Sequence, residues 1–199
     1  MILATRNRHK LREMRELLPE LELEQLAEGV ELPPEHGDSF AAIALEKARA
    51  AHAASGEAAL ADDSGIEAAA LGGRPGIHSA RYGGEGAGDE ENLAKLLREV
   101  AAAGGSRRAA YVCALALVGR DGREHVFEGR CEGRLTEEPR GEGGFGYDPA
   151  FVPDATGPAD TRTMSELTQA EKNEISHRGE AARLLAAHLG AGEAARPGR

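Results

Sequence analysis

The hydrophobic and polar positions of this 199-residue chain follow the two periodicities that distinguish strands from helices. Short apolar runs predict buried strands at residues 2–5 and 58–61, and the alternation over residues 21–26 predicts a half-exposed strand. Residues 109–118 and 124–135 predict a hairpin that turns at Asp121-Gly122. With the helices described next, this length suits one α/β domain, and a division into two lobes remains open.

Apolar residues at helical spacing predict helices between these strands. A first helix follows residues 5–10 and stops at Pro19, and an Ala-rich second helix is capped by Asp38 or Ser39 and ends near Gly56. Its predicted buried stripe is Phe40, Ile43, Ala44 and Ala48. Asp89 is expected to cap a third helix, whose buried face is Leu93, Leu96, Leu97 and Val100.

Two more helices are predicted near the C-terminal end of the chain. Thr168 and Glu171 form a capping box for a short helix. Residues 178–189 predict a last helix, closed by Gly190, with these residues facing inward: Ala181, Leu184, Leu185 and Leu189. Because residues 191–199 have no periodicity, we expect one domain over residues 1–190 and a disordered tail after it.

The composition of the chain limits the kinds of molecule that it is expected to bind. The formal net charge of −10 argues against binding a nucleic acid polymer, which requires a cationic surface. A triphosphate substrate carries about four negative charges, so it would need a local basic cluster, a divalent cation, or both. No apolar run is long enough for a membrane helix, and no signal peptide is recognisable. Cys113 and Cys131 are expected to be buried and reduced, as in the cytoplasm.

Polar residues cluster at four places where a predicted strand or helix ends, which is where open α/β sheets bind ligands. The first is residues 5–10, Thr-Arg-Asn-Arg-His-Lys, between a strand and a helix. The amides of the helix N-terminus, together with Lys10 and the two arginines, would bind an anion. The segment is not a P-loop, because the glycines and the terminal Lys-Ser/Thr pair are absent. The alternative is an ordinary solvated helix start.

The second cluster is Asp62-Asp63-Ser64-Gly65, after an apolar strand. Two adjacent carboxylates are costly to bury unless a cation or hydrogen bonds compensate. Because neighbours in an extended chain point to opposite sides, one aspartate would ligate a metal ion while the other orients a water molecule or a backbone turn. The alternative is an acidic turn whose side chains cap the local backbone.

The third and fourth clusters suit recognition of a base. In residues 143–149, Gly-Gly-Phe-Gly-Tyr-Asp-Pro, the glycines allow close approach of a flat ligand and the phenylalanine suits stacking. The alternative is a wide turn whose aromatic side chains pack in the core. Lys172 would meet phosphate, and His177 with Arg178 would donate to a purine carbonyl. The alternative there is a charged surface helix with a serine cap.

Taken in this order, the clusters resemble the inosine triphosphate pyrophosphatase family, whose members hydrolyse non-standard purine triphosphates. The matching stretches run from the first residues to about Leu189: residues 5–10, 61–65, 71–82, 143–149 and 166–179. The resemblance implies a mixed twisted sheet with flanking helices, in two lobes around a central substrate cleft, and a homodimer. It also implies Mg2+-assisted cleavage of dITP, ITP or XTP into the monophosphate and pyrophosphate, in the cytoplasm.

The same resemblance implies roles for individual residues. Asp63 is expected to be the catalytic base and a metal ligand, with Asp62 also near the metal. Residues 5–10 would hold the triphosphate, residues 145–148 the base and sugar, and His177 with Arg178 the 6-oxo group that adenine lacks. The full set expected to contact substrate is Thr5, Arg6, Asn7, Arg8, His9, Lys10, Ser64, Phe145, Gly146, Tyr147, Asp148, Lys172, His177 and Arg178.

The chain departs from the family pattern at two places. The family's Phe-x-Glu-Asn-Ala reads Phe-Ala-Ala-Ile-Ala at residues 40–44, so a glutamate that helps to bind metal is missing at Ala42. Glu46 lies one helical turn further on the same face, and we hypothesise that it replaces that ligand; the alternative is a surface position beside Lys47. Arg6 stands where the family commonly has glycine, and would add a phosphate contact or narrow the cleft.

Two other functions remain open at this point. The missing glutamate would suit a nucleotide-binding protein with weakened catalysis. A pyrophosphatase for other modified nucleotides is the nearest alternative among enzymes, although residues 145–148 and the His177-Arg178 pair favour purines.

Overall fold

The computed structural model describes residues 1–194. The helices and strands follow one another as β1 (Ile2–Leu3), α1 (Arg8–Leu17), β2 (Glu24–Gln25), α2 (Phe40–Ser55), β3 (Ala59–Ala68), α3 (Asp89–Ala103), β4 (Arg108–Val118), β5 (Glu124–Leu135), β6 (Phe151–Pro153), α4 (Gln169–Ile175) and α5 (His177–Ala194). Short 3-10 helices occupy Ala69–Leu71, Gly76–Arg81, Asp148–Ala150, Asp154–Thr156 and Met164–Glu166.

The six strands form one mixed sheet in the order β2-β1-β3-β4-β5-β6. β1 runs parallel to both β2 and β3, with Ile2 opposite Glu24 and Ala59, whereas β6 is antiparallel to β5. The predicted mixed α/β fold is therefore confirmed. Because β1 and β3 are parallel, the residues that follow β1 run beside Asp62 and Asp63 of β3.

The backbone contacts divide the chain into two compact units, each with its own core. The first unit comprises Met1–Asp63, Cys113–Gly129 and the chain from Arg178 onward, and the second comprises Ser64–Val112 and Arg130–His177. Residues of the first core include Leu3, Met14, Leu60, Leu115 and Leu185. Residues of the second include Leu96, Leu135, Tyr111, Phe151 and Met164.

Helix α2 has the ends and the buried face that the sequence predicts. The Ser39 hydroxyl accepts a hydrogen bond from the Ala42 amide at 3.2 Å, and Gly56 ends the helix in the left-handed conformation, at φ 70°. The predicted stripe of four apolar residues is buried. Lys47 lies on the same buried face, at helical spacing from Phe40, Ile43 and Ala44.

Strand β3 is longer than predicted and contains all of Asp62-Asp63-Ser64-Gly65, so the interpretation of this segment as a turn is wrong. Both aspartates are buried within the strand. A strand accommodates buried carboxylates when cationic partners compensate for the loss of hydration, and such partners come from α1, α2 and α5.

Helix α3 begins one residue earlier than the predicted cap implies. Gly88, not Asp89, occupies the N-cap position, and its amide donates to the Glu91 carboxylate at 3.0 Å. Asp89 lies in the first turn, where its Oδ2 atom accepts the Gly146 amide at 2.8 Å. The predicted apolar face of α3 is buried, and the capping box of Thr168 and Glu171 at α4 is confirmed.

Helix α5 differs from the prediction at its end and on one face. It continues past Gly190 to Ala194, because one glycine costs a helix only about 1 kcal/mol relative to alanine. Residues 195–199 of the expected tail lie outside the described residues. Leu184, predicted to face inward, is 46% exposed, whereas Ala182 is buried. The two positions differ by about 200° around the helix, so they cannot share a face.

The two cysteines are free and buried, as expected, with Cys113 in the first core and Cys131 in the second. Burial raises the pKa of the Cys113 thiol to about 12. Over residues 1–194, no helix combines the length and the apolar character that crossing a bilayer requires.

Candidate active site

Residues 5–10 form a capped helix start in the first unit. The Asn7 side chain accepts hydrogen bonds from the amides of His9, at 2.9 Å, and Lys10, at 3.3 Å. The hydroxyl of Thr5 accepts the Asn7 amide at 3.2 Å. Asn7 and Thr5 thus order the turn that carries Lys10 toward β3. Arg8 and His9, expected to contact substrate, are exposed.

Arg6 anchors the loop that follows β2. Its guanidinium donates to the carbonyl oxygens of Leu26, Ala27 and Val30 at 2.8 to 3.0 Å. Three backbone partners account for most of the donors of one guanidinium. The side chain therefore stabilises this loop, which explains an arginine at a position where a phosphate contact was one expectation.

Asp62 lies at the centre of a buried ionic network in the first unit. Its Oδ2 atom accepts Lys10 Nζ at 2.9 Å and Arg178 Nη2 at 3.2 Å. Arg178 also pairs with Glu13, and both of these side chains are buried. Burial acts to raise the pKa of Asp62, but Lys10 and Arg178 outweigh it and hold that pKa far below the usual range. Asp62 is therefore a permanent anion that holds Lys10.

Asp63 has a different cationic partner, as expected for the next residue along a strand. Its Oδ1 atom lies 2.8 Å from Lys47 Nζ, and the same Nζ lies 3.0 Å from Oε1 of Glu35. Burial raises the pKa of the Asp63 carboxyl, although Lys47 acts against it. The charges of Asp63 and Asp62 raise the pKa of Lys47 in spite of its burial. Lys47 is thus a fixed positive charge between two carboxylates.

Glu46 does not take the place predicted for it. Its side chain is exposed, and the residue of α2 that reaches Asp63 is Lys47, one position further along. Successive helix residues are separated by about 100°, so Glu46 and Lys47 cannot both face β3. The exposed position of Glu46 matches the surface alternative considered for it, and Glu35 supplies a carboxylate beside Asp63.

The carboxylates of Glu35 and Asp63 fit a magnesium ion. One oxygen atom of each carboxylate contacts Lys47 Nζ, so each carboxylate has a second oxygen atom that a cation beside the lysine would take as a ligand. Within residues 1–194, no three His, Cys, Asp or Glu side chains are grouped closely enough to form a complete metal site. Mg2+ is commonly held by one or two carboxylates together with substrate phosphates and water, which matches two protein ligands.

The second unit contains a separate polar cluster centred on Asp148. The Oδ1 atom of Asp148 accepts the Tyr111 hydroxyl at 3.0 Å, and Oδ2 accepts Lys172 Nζ at 2.7 Å and the Phe145 amide at 3.0 Å. Lys172 Nζ also lies 4.9 Å from the centre of the Phe145 ring. A Cβ atom at Gly144 would collide with Oδ2 of Asp148, and Gly144 has a φ of 72°, so glycine suits this position in the loop.

His177 belongs to the same cluster and is buried. Its ring stacks on that of Tyr111, with the ring centres 4.7 Å apart and the planes inclined by 7°. We refer to Tyr111, Phe145, Asp148, Lys172 and His177 as the Asp148 cluster. It unites four of the predicted substrate-contacting residues with Tyr111 of β4, which the sequence pattern indicates only as an ordinary strand residue.

The remaining predicted site residues have other surroundings. Tyr147 is a core residue, because it is 5% exposed and its hydroxyl donates to the Ser79 carbonyl at 2.7 Å. This packing matches the alternative considered for the aromatic side chains of the loop. Gly146 donates its amide to Asp89, and Ser64, which directly follows Asp63, is partly exposed. Arg178, expected to read the purine, has the carboxylates of Asp62 and Glu13 as partners.

Comparison with known proteins identifies the family to which this chain belongs. Residues 1–188 match the model of the Ham1 family. The chain belongs to the Ham1 family. This Ham1 chain is 48% identical to a protein of Symbiobacterium thermophilum, over 91% of the chain and 90% of the relative. It is 44% identical to a Geobacter sulfurreducens protein, over 96% of both. Both relatives are named dITP/XTP pyrophosphatase.

Solved structures of related proteins support the same family assignment. A HAM1 protein from Coxiella burnetii superposes with a TM-score of 0.85 at 40% identity, covering 96% of this chain and 98% of that one. A nucleoside-triphosphatase / dITP/XTP pyrophosphatase from Mycobacterium abscessus has a TM-score of 0.73 at 42% identity, covering 94% and 95%. The family resemblance found in the sequence is thereby confirmed for this Ham1 chain.

Four residues of the Ham1 chain's polar clusters were missed in the sequence. Glu35 follows two prolines in a polar stretch, and Tyr111 lies in an apolar strand. Glu13 lies in a helix rich in charged residues, and Lys47 lies in a helix rich in alanine. A signal existed only for Lys47, which falls at helical spacing from Phe40, Ile43 and Ala44 and therefore on their buried face.

Proposed function

We propose that this chain hydrolyses non-standard purine nucleoside triphosphates, namely dITP, ITP and XTP, to the monophosphate and pyrophosphate. The observation that carries the proposal is the arrangement of the buried Asp63 and Lys47 with the partly exposed Glu35, in which a base, a cation and a second carboxylate meet. The names of relatives that are 44 to 48% identical support the choice of substrate.

The acidic chain needs local positive charge to bind a triphosphate, and the first unit has it. Lys10 and Lys47 are each held by a buried carboxylate, so neither has to be ordered when the phosphates bind. Mg2+ held by Glu35 and Asp63 would supply further positive charge to the phosphates and to the attacking water. Electrostatic stabilisation by groups fixed in advance is commonly the largest single contribution to catalysis.

Asp63 is proposed as the general base. A water molecule attacks phosphorus and transfers a proton to the Asp63 carboxylate, and the bond between the α- and β-phosphates breaks to release pyrophosphate. The raised pKa of Asp63 makes its carboxylate a stronger base than an exposed aspartate. Lys47 keeps the carboxylate oriented, because its Nζ atom holds one oxygen and leaves the other for the proton transfer.

The Asp148 cluster is proposed to recognise the purine. Phe145 offers a ring for stacking, and His177 a ring N–H that donates to a 6-oxo group. Adenine carries an amino group at that position, so a buried donor facing it would lose its acceptor. Lys172, Asp148 and the Phe145 amide are already joined, which orders this loop for the base.

We further propose that the protein is a cytoplasmic homodimer, as the family resemblance implies. The two free, buried cysteines are consistent with a reducing compartment. Light scattering after size exclusion tests the dimer, for which a mass near twice 20.9 kDa is expected.

A substrate panel tests the proposed function. Purified protein is incubated with Mg2+ and dITP, XTP, dGTP, dATP or dUTP, and pyrophosphate is measured separately from orthophosphate. Pyrophosphate from dITP and XTP, with little from dGTP and dATP, supports the proposal. Preference for dUTP would favour the alternative of a different modified nucleotide. No turnover, combined with protection of the protein against unfolding by dITP, would instead indicate a nucleotide-binding protein.

A further inference from the structure

Tyr111 is the member of the Asp148 cluster to which neither the sequence nor the family resemblance assigns a role. It is 7% exposed and lies in β4, in the core of the second unit. One face of its ring packs on His177 and the ring also contacts Phe151, at a centre-to-centre distance of 4.7 Å and an angle of 58°. Contacts with two rings fix the plane of the tyrosine.

The hydroxyl of Tyr111 gives the residue a second contact with the cluster. It donates to Oδ1 of Asp148, while Oδ2 of the same carboxylate holds Lys172 and the Phe145 amide. A hydrogen bond from a hydroxyl to a charged carboxylate is worth more than one between neutral groups. One side chain thus joins the His177 ring to the residue that organises the Phe145 loop.

We propose that Tyr111 is a positioning and specificity-determining residue, which sets the plane of His177 by stacking and the position of Asp148 by hydrogen bonding. This inference rests on the proposed function of the Asp148 cluster in purine recognition. A near-parallel stack allows the His177 ring to slide but not to tilt, so its N–H donor keeps one direction. Because hydrogen bonds weaken steeply with angle, that direction determines the preference for a 6-oxo over a 6-amino purine.

Two substitutions separate the two contacts. Tyr111→Phe retains the ring and removes only the hydroxyl, whereas Tyr111→Leu removes both. For Tyr111→Phe we expect KM for dITP to rise roughly three- to tenfold with kcat within about twofold, and the dITP over dATP ratio of kcat/KM to be retained. For Tyr111→Leu we expect that ratio to fall by roughly three- to tenfold as well.

Leu96→Ala is the matched control, because Leu96 lies in the same core, on α3, and belongs to no polar cluster. It should lower the thermal stability and leave the ratio unchanged. Wild-type KM and ratio in both Tyr111 variants would overturn the inference. So would a Leu96→Ala variant whose ratio falls as far as that of Tyr111→Leu, since a loosened core would then suffice.

A spectroscopic measurement covers the case in which Tyr111→Leu folds poorly or the wild-type protein turns over no purine. The proton resonances of the His177 ring, assigned by their loss in His177→Gln, should carry the ring-current shift of Tyr111. We expect this shift in the wild type, Tyr111→Phe and Leu96→Ala, and its loss in Tyr111→Leu. An unchanged shift in Tyr111→Leu would overturn the positioning role. Absence of pyrophosphate from wild-type protein with dITP would instead refute the proposed function, and the specificity role with it.

Discussion

The Nζ atom of Lys47 lies 2.8 Å from Oδ1 of Asp63, and both side chains are buried. A buried pair of this kind contributes little to stability by itself, because desolvation offsets much of the attraction. Its consequence is geometric, since the lysine fixes the orientation of the carboxylate. The pair is therefore better explained by the chemistry of the site than by the stability of the fold.

Replacing Lys47 tests this interpretation. Lys47→Met is expected to lower kcat for dITP by about 100-fold, because a fixed positive charge beside the reacting phosphates is lost. The measurement is steady-state pyrophosphate release. Lys95→Met serves as the control, since Lys95 lies in the second unit and donates to the Tyr82 carbonyl. Equal rates for the two methionine variants would refute the role of Lys47.

Substitutions of Glu35 and Glu46 are expected to differ in their effect on the Mg2+ concentration that the enzyme requires. Glu35→Gln should raise the Mg2+ concentration needed for half-maximal activity by about tenfold, because it removes one of the two proposed carboxylate ligands. Glu46→Gln should leave that concentration unchanged, since the Glu46 side chain is exposed. Both variants are titrated with Mg2+ after treatment with a chelator. A larger effect for Glu46→Gln than for Glu35→Gln would instead support Glu46 as the ligand.

The free energy of unfolding is expected to depend on pH through the carboxylate of Asp62. Its pKa is lowered on folding, so the ionised form contributes stability that is present above the ordinary aspartate value and is lost as the pH falls below it. Asp62→Asn should cost about 3 to 5 kcal/mol at pH 7, because Lys10 and Arg178 lose their shared partner. The difference from wild type should stay constant above about pH 5 and shrink below about pH 4.

Urea unfolding at a series of pH values measures this difference. Glu90→Gln, at an exposed position of α3, is the control and should stay within about 0.5 kcal/mol of wild type throughout. A difference between wild type and Asp62→Asn that grows on acidification would contradict the assignment of Asp62 as a permanent anion.

Adjacent leucines of α5 test the observed orientation of this helix. Leu185 is fully buried and Leu184 is 46% exposed. Leu185→Ala should cost about 2 to 5 kcal/mol of unfolding free energy, because it leaves a cavity in the first core. Leu184→Ala should change it by less than about 0.5 kcal/mol. If thermal or urea denaturation gave similar losses for both, the helix would be rotated relative to the structure described.

The sequence predicts those elements whose ends and faces depend on local chemistry. Ser39 and Gly56 delimit α2, because a serine cap and a left-handed glycine act within one turn of the helix. The hairpin follows from Asp121-Gly122 for the same reason. The buried face of α5 is not predicted correctly at Leu184. This helix has apolar residues on nearly every side, so their pattern gives little indication of which side is buried.

The site was predicted less completely, because its partners lie far apart along the chain. Asp63 and Lys10 carry motif signals, but the burial of Lys47 depends on Asp63 and Glu35 together. A lone lysine in an alanine-rich helix is ordinarily exposed, and only its partners reverse that expectation. Spacing from Ala42 favours Glu46, whereas spacing from Phe40, Ile43 and Ala44 places Lys47 on the buried face.

Product analysis with dITP, for wild-type protein and for Asp63→Asn, tests the proposed hydrolysis and the role of Asp63 together. In the presence of Mg2+, wild type should yield dIMP and pyrophosphate in equal amounts without orthophosphate. Asp63→Asn should be slower by at least about 100-fold, because it lacks the general base, yet remain folded. Orthophosphate as the product, or pyrophosphate at the wild-type rate from Asp63→Asn, would contradict the account.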